Sequence, residues 1–136
     1  MHKGFLITGC ILGALAVALG AFGAHTLKQM LGAEAAATFD TGVKYHFYHT
    51  LALIFTAILY GRFRSKNLRY AAYLFIGGIV FFSGSLYLLT LLKATNTVGL
   101  SGIGFITPLG GLLFIAGWLV MAWSVYKTSN ATLKAM

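Results

Sequence analysis

The chain predicts an all-α integral membrane bundle of four transmembrane helices with both termini cytoplasmic, and three observations carry that reading. Four apolar runs, at about residues 5–23, 45–60, 70–92 and 108–126, fill most of the 136 residues, and a spanning helix needs about 20 mostly apolar residues at about 1.5 Å each. Hydrophobic residues make up 59% of the chain and charged ones only 9%, more apolar side chain than a soluble domain of this length hides in a core. The basic residues gather at the ends of the runs, where membrane orientation is decided.

The first run, Phe5 to Gly23, follows Lys3. Ala21-Phe22-Gly23 offers small residues where a signal peptidase would cut, and Ile7-Thr8-Gly9-Cys10 looks like a lipoprotein box. The run is longer than a typical signal core, and almost no apolar segment precedes Cys10, so it reads as a retained helix. One cysteine excludes an internal disulfide. Gly9, Gly13, Ala16, Gly20 and Gly23 recur at steps of four and three, which lines the smallest side chains along one seam. In lipid such a seam lets backbones approach and gain dispersion contacts. Packing within the chain's own bundle is the expected use, and a homodimer face is the alternative.

The second run, Tyr45 to Tyr60, is short and spans by extending back through Val43 and Lys44 or by local thinning. The third, Tyr70 to Leu92, carries Gly77, Gly78, Ser83, Gly84 and Ser85, a notch expected to receive the seam of the first helix. Its serines are satisfied by back-bonding to their own helix. Thr107-Pro108 marks the start of the fourth run, as an N-cap followed by proline in the first helical position. Gly110, Gly111 and Gly117 give it a close-packing surface. The apolar, glycine-rich stretch Val98 to Ile106 is expected to lie as a lid over the outer helix ends, because irregular backbone is not tolerated in hydrocarbon.

Orientation follows from the short loops. Lys3, Arg62, Arg64, Lys66, Arg69, Lys127 and Lys134 fall on one side and only Lys28, Lys44 and Lys93 on the other, which puts both ends in the cytoplasm. Residues 1–136 form a single multi-pass membrane domain. The net charge of +8 would otherwise point to nucleic acid, but the basic residues make no face or binding motif, so no nucleic-acid partner is expected.

The polar chemistry collects at the outer side. His25 ends the first helix, Glu34 and Asp40 lie in the first loop, and His46 and His49 open the second helix. His25, Asp40, His46 and His49 form the candidate cluster. His46 and His49 share a face at i, i+3, but that spacing alone is weak ground for a metal, and none is expected. With Tyr45 taken as the interface, His49 lies only about 6 Å inside it, far from a mid-membrane proton relay. A b-type haem would need His25 as second axial ligand at the very edge, so no cofactor is expected. The reading is a His49 hydrogen-bonded between the second helix and the lid, with the tyrosines forming an aromatic belt. No nucleophile with its base, paired carboxylates at depth or phosphate loop is visible, so the protein is not read as an enzyme.

Four ordered motifs carry a family resemblance: Gly20-Ala21-Phe22-Gly23-Ala24-His25; Tyr45 to His49 before Leu51-Ala52-Leu53; Phe82-Ser83-Gly84-Ser85-Leu86-Tyr87; and Thr107-Pro108-Leu109-Gly110-Gly111 with Gly117-Trp118. They resemble the bacterial small integral membrane family known as domain of unknown function 423, whose eukaryotic relative is transmembrane protein 256. The resemblance covers nearly the whole chain and implies a four-helix plasma-membrane protein with no established activity. The family's histidines map to His25 and His49, with Gln common in relatives at the position of His46. The expected function is a non-enzymatic membrane component that packs against lipid, a second copy or another membrane protein. The alternative is an oligomeric transporter or channel for a small solute or ion; four helices enclose no aqueous path alone, and the first run lacks the acidic residue on which small multidrug exporters depend.

Overall fold

The computed structural model describes residues 1–95 and 103–134, the side chains of residues 94 and 129–134 excepted. Helix α1 (Lys3–Phe22) passes through a π-helical turn (Gly23–Leu27) into α2 (Lys28–Phe63). Then come α3 (Lys66–Gly78), a second π turn (Ile79–Ser83) and α4 (Gly84–Ala94) as one rod, and last a 3₁₀ turn (Ile103–Phe105) leading into α5 (Ile106–Lys134). Among the described residues the structure is all helical.

Among the described residues three helical stretches are long and apolar enough to cross a membrane: Lys3–Phe63, Lys66–Lys93 and Ile103–Thr128. The expected count was four. The difference lies in the first stretch, whose 61 residues carry the first two apolar runs with no loop between them. Glu34 and Asp40, expected in that loop, are helical. The physical reason is Gly32, with φ 80° and ψ 179°, a backbone conformation that essentially only glycine adopts. Across it the helix folds back: Gly9 faces Ile54, Gly13 faces Thr50, Gly20 faces Val43 and Gly23 faces Phe39, an antiparallel series about the break. Nothing lies within 4 Å of where a Cβ on Gly32 would sit, so the demand there is on the backbone alone. Gly32→Ala should lower stability by about 1–3 kcal/mol, read from the unfolding midpoint in detergent; an unchanged midpoint would remove the left-handed reversal.

The opposite end of α2 turns on two residues. Arg64, at φ 43°, closes the helix with its amide donating to the Tyr60 carbonyl at 2.9 Å. Ser65 caps α3, its hydroxyl accepting from the Asn67 amide at 3.2 Å. The N-terminus packs on the same end: the His2 amide donates to Ala57 O at 2.9 Å, and its ring stacks on Phe5 at 4.1 Å. Ile106 begins α5 one residue before Thr107, so Thr107 is helical and not the N-cap. Its hydroxyl instead pairs with Ser85 Oγ at 2.7 Å, tying α5 to α4. Pro108 keeps a place in the first turn, where its missing N–H is tolerated. Of the expected lid, residues 98–102 lie outside the described residues and Ile103–Phe105 form the 3₁₀ turn.

Two glycine contacts between helices set the packing. On the α1 seam, an added Cβ would lie 2.5 Å from Ile54 Cγ1 at Gly9, 2.7 Å from Phe39 Cδ1 at Gly23, 3.3 Å from Val43 Cγ1 at Gly20, and an ordinary 3.5 Å from Thr50 Cγ2 at Gly13. The seam's partner is therefore α2, not the notch of the third apolar run. That notch meets α5: Gly78 abuts Phe114, Gly110 abuts the backbone of Phe82, and a Cβ on Gly117 would lie 2.7 Å from the Phe75 ring. Gly111 is roomier, at 3.8 Å from the Phe82 ring. Gly84, expected among the packing glycines, has nothing within 4 Å of its Cβ position, so close packing does not explain it. Phe5, Leu53, Phe75, Ile79 and Phe114, with small Ala52, Ala57, Ala71 and Ala72 between them, make the core.

Candidate functional site

Four of the buried polar side chains, His46, His49, Thr50 and Thr56, are hung on α2. Its pairing with α1 sets their level, since Thr50 faces Gly13, near the middle of the 5–23 apolar run. His49 lies beside Phe114 and Trp118, near the middle of the 108–126 run. His49 is thus level with the middle of these two apolar runs and not near their ends. The expectation took Tyr45 as the edge of the run, whereas α2 continues from Tyr45 back to Lys28.

Buried His49 donates from Nδ1 to the Tyr45 carbonyl at 2.7 Å, which leaves Nε2 as an acceptor. Its ring lies flat on Phe114, centroids 3.4 Å apart and planes 10° apart, with Phe75 at 5.9 Å and Trp118 edge-on at 6.2 Å. His46, one turn away, enters a different interface: its Nδ1 is 3.1 Å from the Tyr87 hydroxyl of α4. Tyr87 in turn packs on Phe39 at 4.7 Å and on Gly42. Tyr87 is half-buried, with its hydroxyl turned to His46 and not standing in an exposed belt.

The other two members of the expected cluster are elsewhere. Asp40 is exposed and pairs with Lys44 one turn along at 2.7 Å, an i, i+4 surface bridge of small worth. His25 is exposed in the first π turn. Glu34 reaches Lys93 at 3.5 Å, which brings the start of α2 and the end of α4 together. Among the described residues no three His, Cys, Asp or Glu side chains come together in a way that holds a metal. The geometry separates four residues that sequence proximity grouped, because on a helix neighbours in number point to different partners.

Sequence reasoning passed over Thr50 and took Ser83 as satisfied by its own helix; both are fully buried, and of the two serines only Ser85 bonds back, to the Phe82 carbonyl at 2.8 Å, while Ser83 Oγ has no partner among the described residues. The available signal was spacing: Thr50 stands four residues after His46, and Ser83 four before Tyr87, so each shares a helix face with a residue of the interior hydrogen bond. Around this interior the surface is apolar on every helix, with Ile7, Ile11, Phe55, Ile58, Val80, Leu88, Leu112, Ile115 and Leu119 all exposed.

Helices of spanning length with an apolar exterior and sealed polar side chains define a small integral membrane protein. The chain belongs to the family described as protein of unknown function DUF423, whose profile matches residues 19–111. It is 42% identical over 125 residues to a UPF0382 membrane protein of Staphylococcus haemolyticus, covering 92% of this chain and 97% of that one. To the UPF0382 membrane protein YwdK of Bacillus subtilis it is 40% identical over 92% of this chain and 98% of that one. To the UPF0382 inner membrane protein YgdD of Escherichia coli it is 40% identical over 85% and 84%. No solved structure matches the chain.

Proposed function

We propose that the protein is a non-enzymatic, four-crossing component of the bacterial inner membrane, both termini cytoplasmic, that works through contacts of its apolar exterior with lipid, a second copy or another membrane protein. The observation that carries this reading is the division of the surface: apolar side chains are exposed along α1, α2, the α3–α4 rod and α5, while the histidines of mid-span are buried against aromatic rings. The fold-back at Gly32 supports four crossings, since the limbs on either side of it pack antiparallel. The inner-membrane name of the Escherichia coli relative supports the location. His2 on Ala57 and Arg62 to Lys66 share one end of the bundle, which supports a cytoplasmic N-terminus by the positive-inside rule.

An oligomeric transporter is the second reading, favoured by polar side chains at mid-span, where ionisable groups commonly mark solute paths. Untagged protein extracted with its native lipid separates these readings from a metal or haem site. The expected preparation carries phospholipid and no stoichiometric transition metal or haem, by elemental analysis and visible spectrum. About one equivalent of zinc, copper or haem iron that disappears in His49→Ala would overturn the non-catalytic reading.

A further inference from the structure

The His46–Tyr87 bond has unsatisfied neighbours. His46 is 2% exposed, Thr50 1% and Ser83 0%, yet His46 Nε2, Thr50 Oγ1 and Ser83 Oγ find no partner among the described residues. They are three of the four such buried side-chain atoms. The antiparallel packing of α2 on the α3–α4 rod is fixed by Gly42 against Tyr87, Tyr45 against Phe82 and His49 against Phe75. Stepping one turn from His46 along α2 reaches Thr50, and stepping one turn back from Tyr87 reaches Ser83. Because Tyr87 stands opposite Gly42 and Phe82 opposite Tyr45, the step back to Ser83 reaches the level of His46, while Thr50 lies one turn further along α2 with its side chain directed back toward that level.

The hydroxyls have an alternative that they do not use. Thr41, Thr56, Thr90 and Thr128 each donate to the carbonyl four residues back, at 2.7–3.0 Å, the usual way a helix satisfies a hydroxyl in an apolar setting. Thr50 does not, and Ser83 sits at the end of a π turn, a distortion of the helical ladder that recurs at functional sites. From α1, Gly13 faces Thr50 and leaves its methyl at ordinary contact distance, 3.5 Å from a Cβ.

We propose that His46 Nε2, Thr50 Oγ1 and Ser83 Oγ enclose a binding site for water inside the bundle, level with mid-span. The donor set selects the ligand. An imidazole nitrogen and two hydroxyls either give or accept a hydrogen bond, and three neutral groups offer too little negative charge and too few oxygens to replace a cation's hydration shell. Side chains this deeply buried admit only a small molecule, and a buried water typically makes about three hydrogen bonds. The water joins α2 to the π turn of the rod and extends the His46–Tyr87 bond into a network.

Replacing the hydroxyls tests the site, because the two possible states respond in opposite directions. A hydroxyl with no partner is a liability, so Thr50→Val or Ser83→Ala would leave the melting temperature unchanged or raise it. A hydroxyl that holds a shared water is an asset, so each replacement should lower the melting temperature in detergent by about 3 °C or more. The double variant should fall by less than the sum of the two, since the first loss already releases the water. Unchanged or raised single-variant melting overturns the site, and full additivity overturns a shared one. If a variant fails to fold, solid-state NMR of the ¹⁵N-histidine parent in lipid decides. Polarisation transfer from water to the His46 ring, assigned by its loss in His46→Gln, is expected, and its absence contradicts the proposal.

Discussion

Gly110→Ala should lower stability by about 3 kcal/mol or more, at the upper end of what overpacking costs, while the neighbouring Gly111→Ala leaves it unchanged or slightly raised. The two positions are adjacent on α5 and differ in what a methyl meets. At Gly110 it runs into the backbone nitrogen and Cα of Phe82, which no rotamer change moves aside; at Gly111 it meets only the edge of the Phe82 ring at 3.8 Å. Alanine's helix propensity, about 1 kcal/mol better than glycine's, favours both variants and is outweighed only at Gly110. Unfolding midpoints of the pair in the same detergent measure the difference directly. Equal midpoints would show that the α5 contact with the second π turn is not close.

His49→Ala should cost about 2–4 kcal/mol, and His49→Phe much less. Two effects compete at this side chain. Its bond to the Tyr45 carbonyl is an extra acceptance by an oxygen that the α-helix already uses, so it is worth only about 1 kcal/mol. Its ring fills the space between Phe75, Phe114 and Trp118 and lies 3.4 Å from Phe114, and removing a buried side chain of that size costs about 2–5 kcal/mol. Packing wins, so an aromatic replacement keeps most of the stability. His25→Ala, at an exposed position, is the matched comparison and should be neutral. If His49→Phe is as damaging as His49→Ala, the hydrogen bond and not the stack holds this region together.

The helices were legible because lipid imposes a length and a polarity that composition reveals: each apolar run lies within a helical stretch. The small-residue seam was legible for the same reason, as a periodicity of three and four. Its partner was not, because a stripe defines a face and says nothing about which helix covers it. The reversal at Gly32 was hidden by Lys28, Glu34 and Asp40, whose charges read as a loop although the ends of long helices bear charge readily. On the first helix Leu12 packs against the core while its neighbour Ile11 is exposed, a distinction that two adjacent apolar residues do not reveal. The depth of His49 was misread for a related reason: depth follows from the pairing of Thr50 with Gly13, a contact between residues far apart in number. Ser83 is interior, and the hydroxyl of Tyr87 is turned inward to His46, for the same reason.

Cysteine accessibility in intact cells tests the four-crossing arrangement most directly. In a Cys10→Ala background, Ala33→Cys beside the reversal should react with a membrane-impermeant maleimide added from outside. Ser65→Cys, in the basic turn after α2, should react only after the membrane is opened. Labelling of Ser65→Cys in intact cells, or equal behaviour of the two positions, would contradict a chain that enters and returns across the membrane between its N-terminus and Arg64.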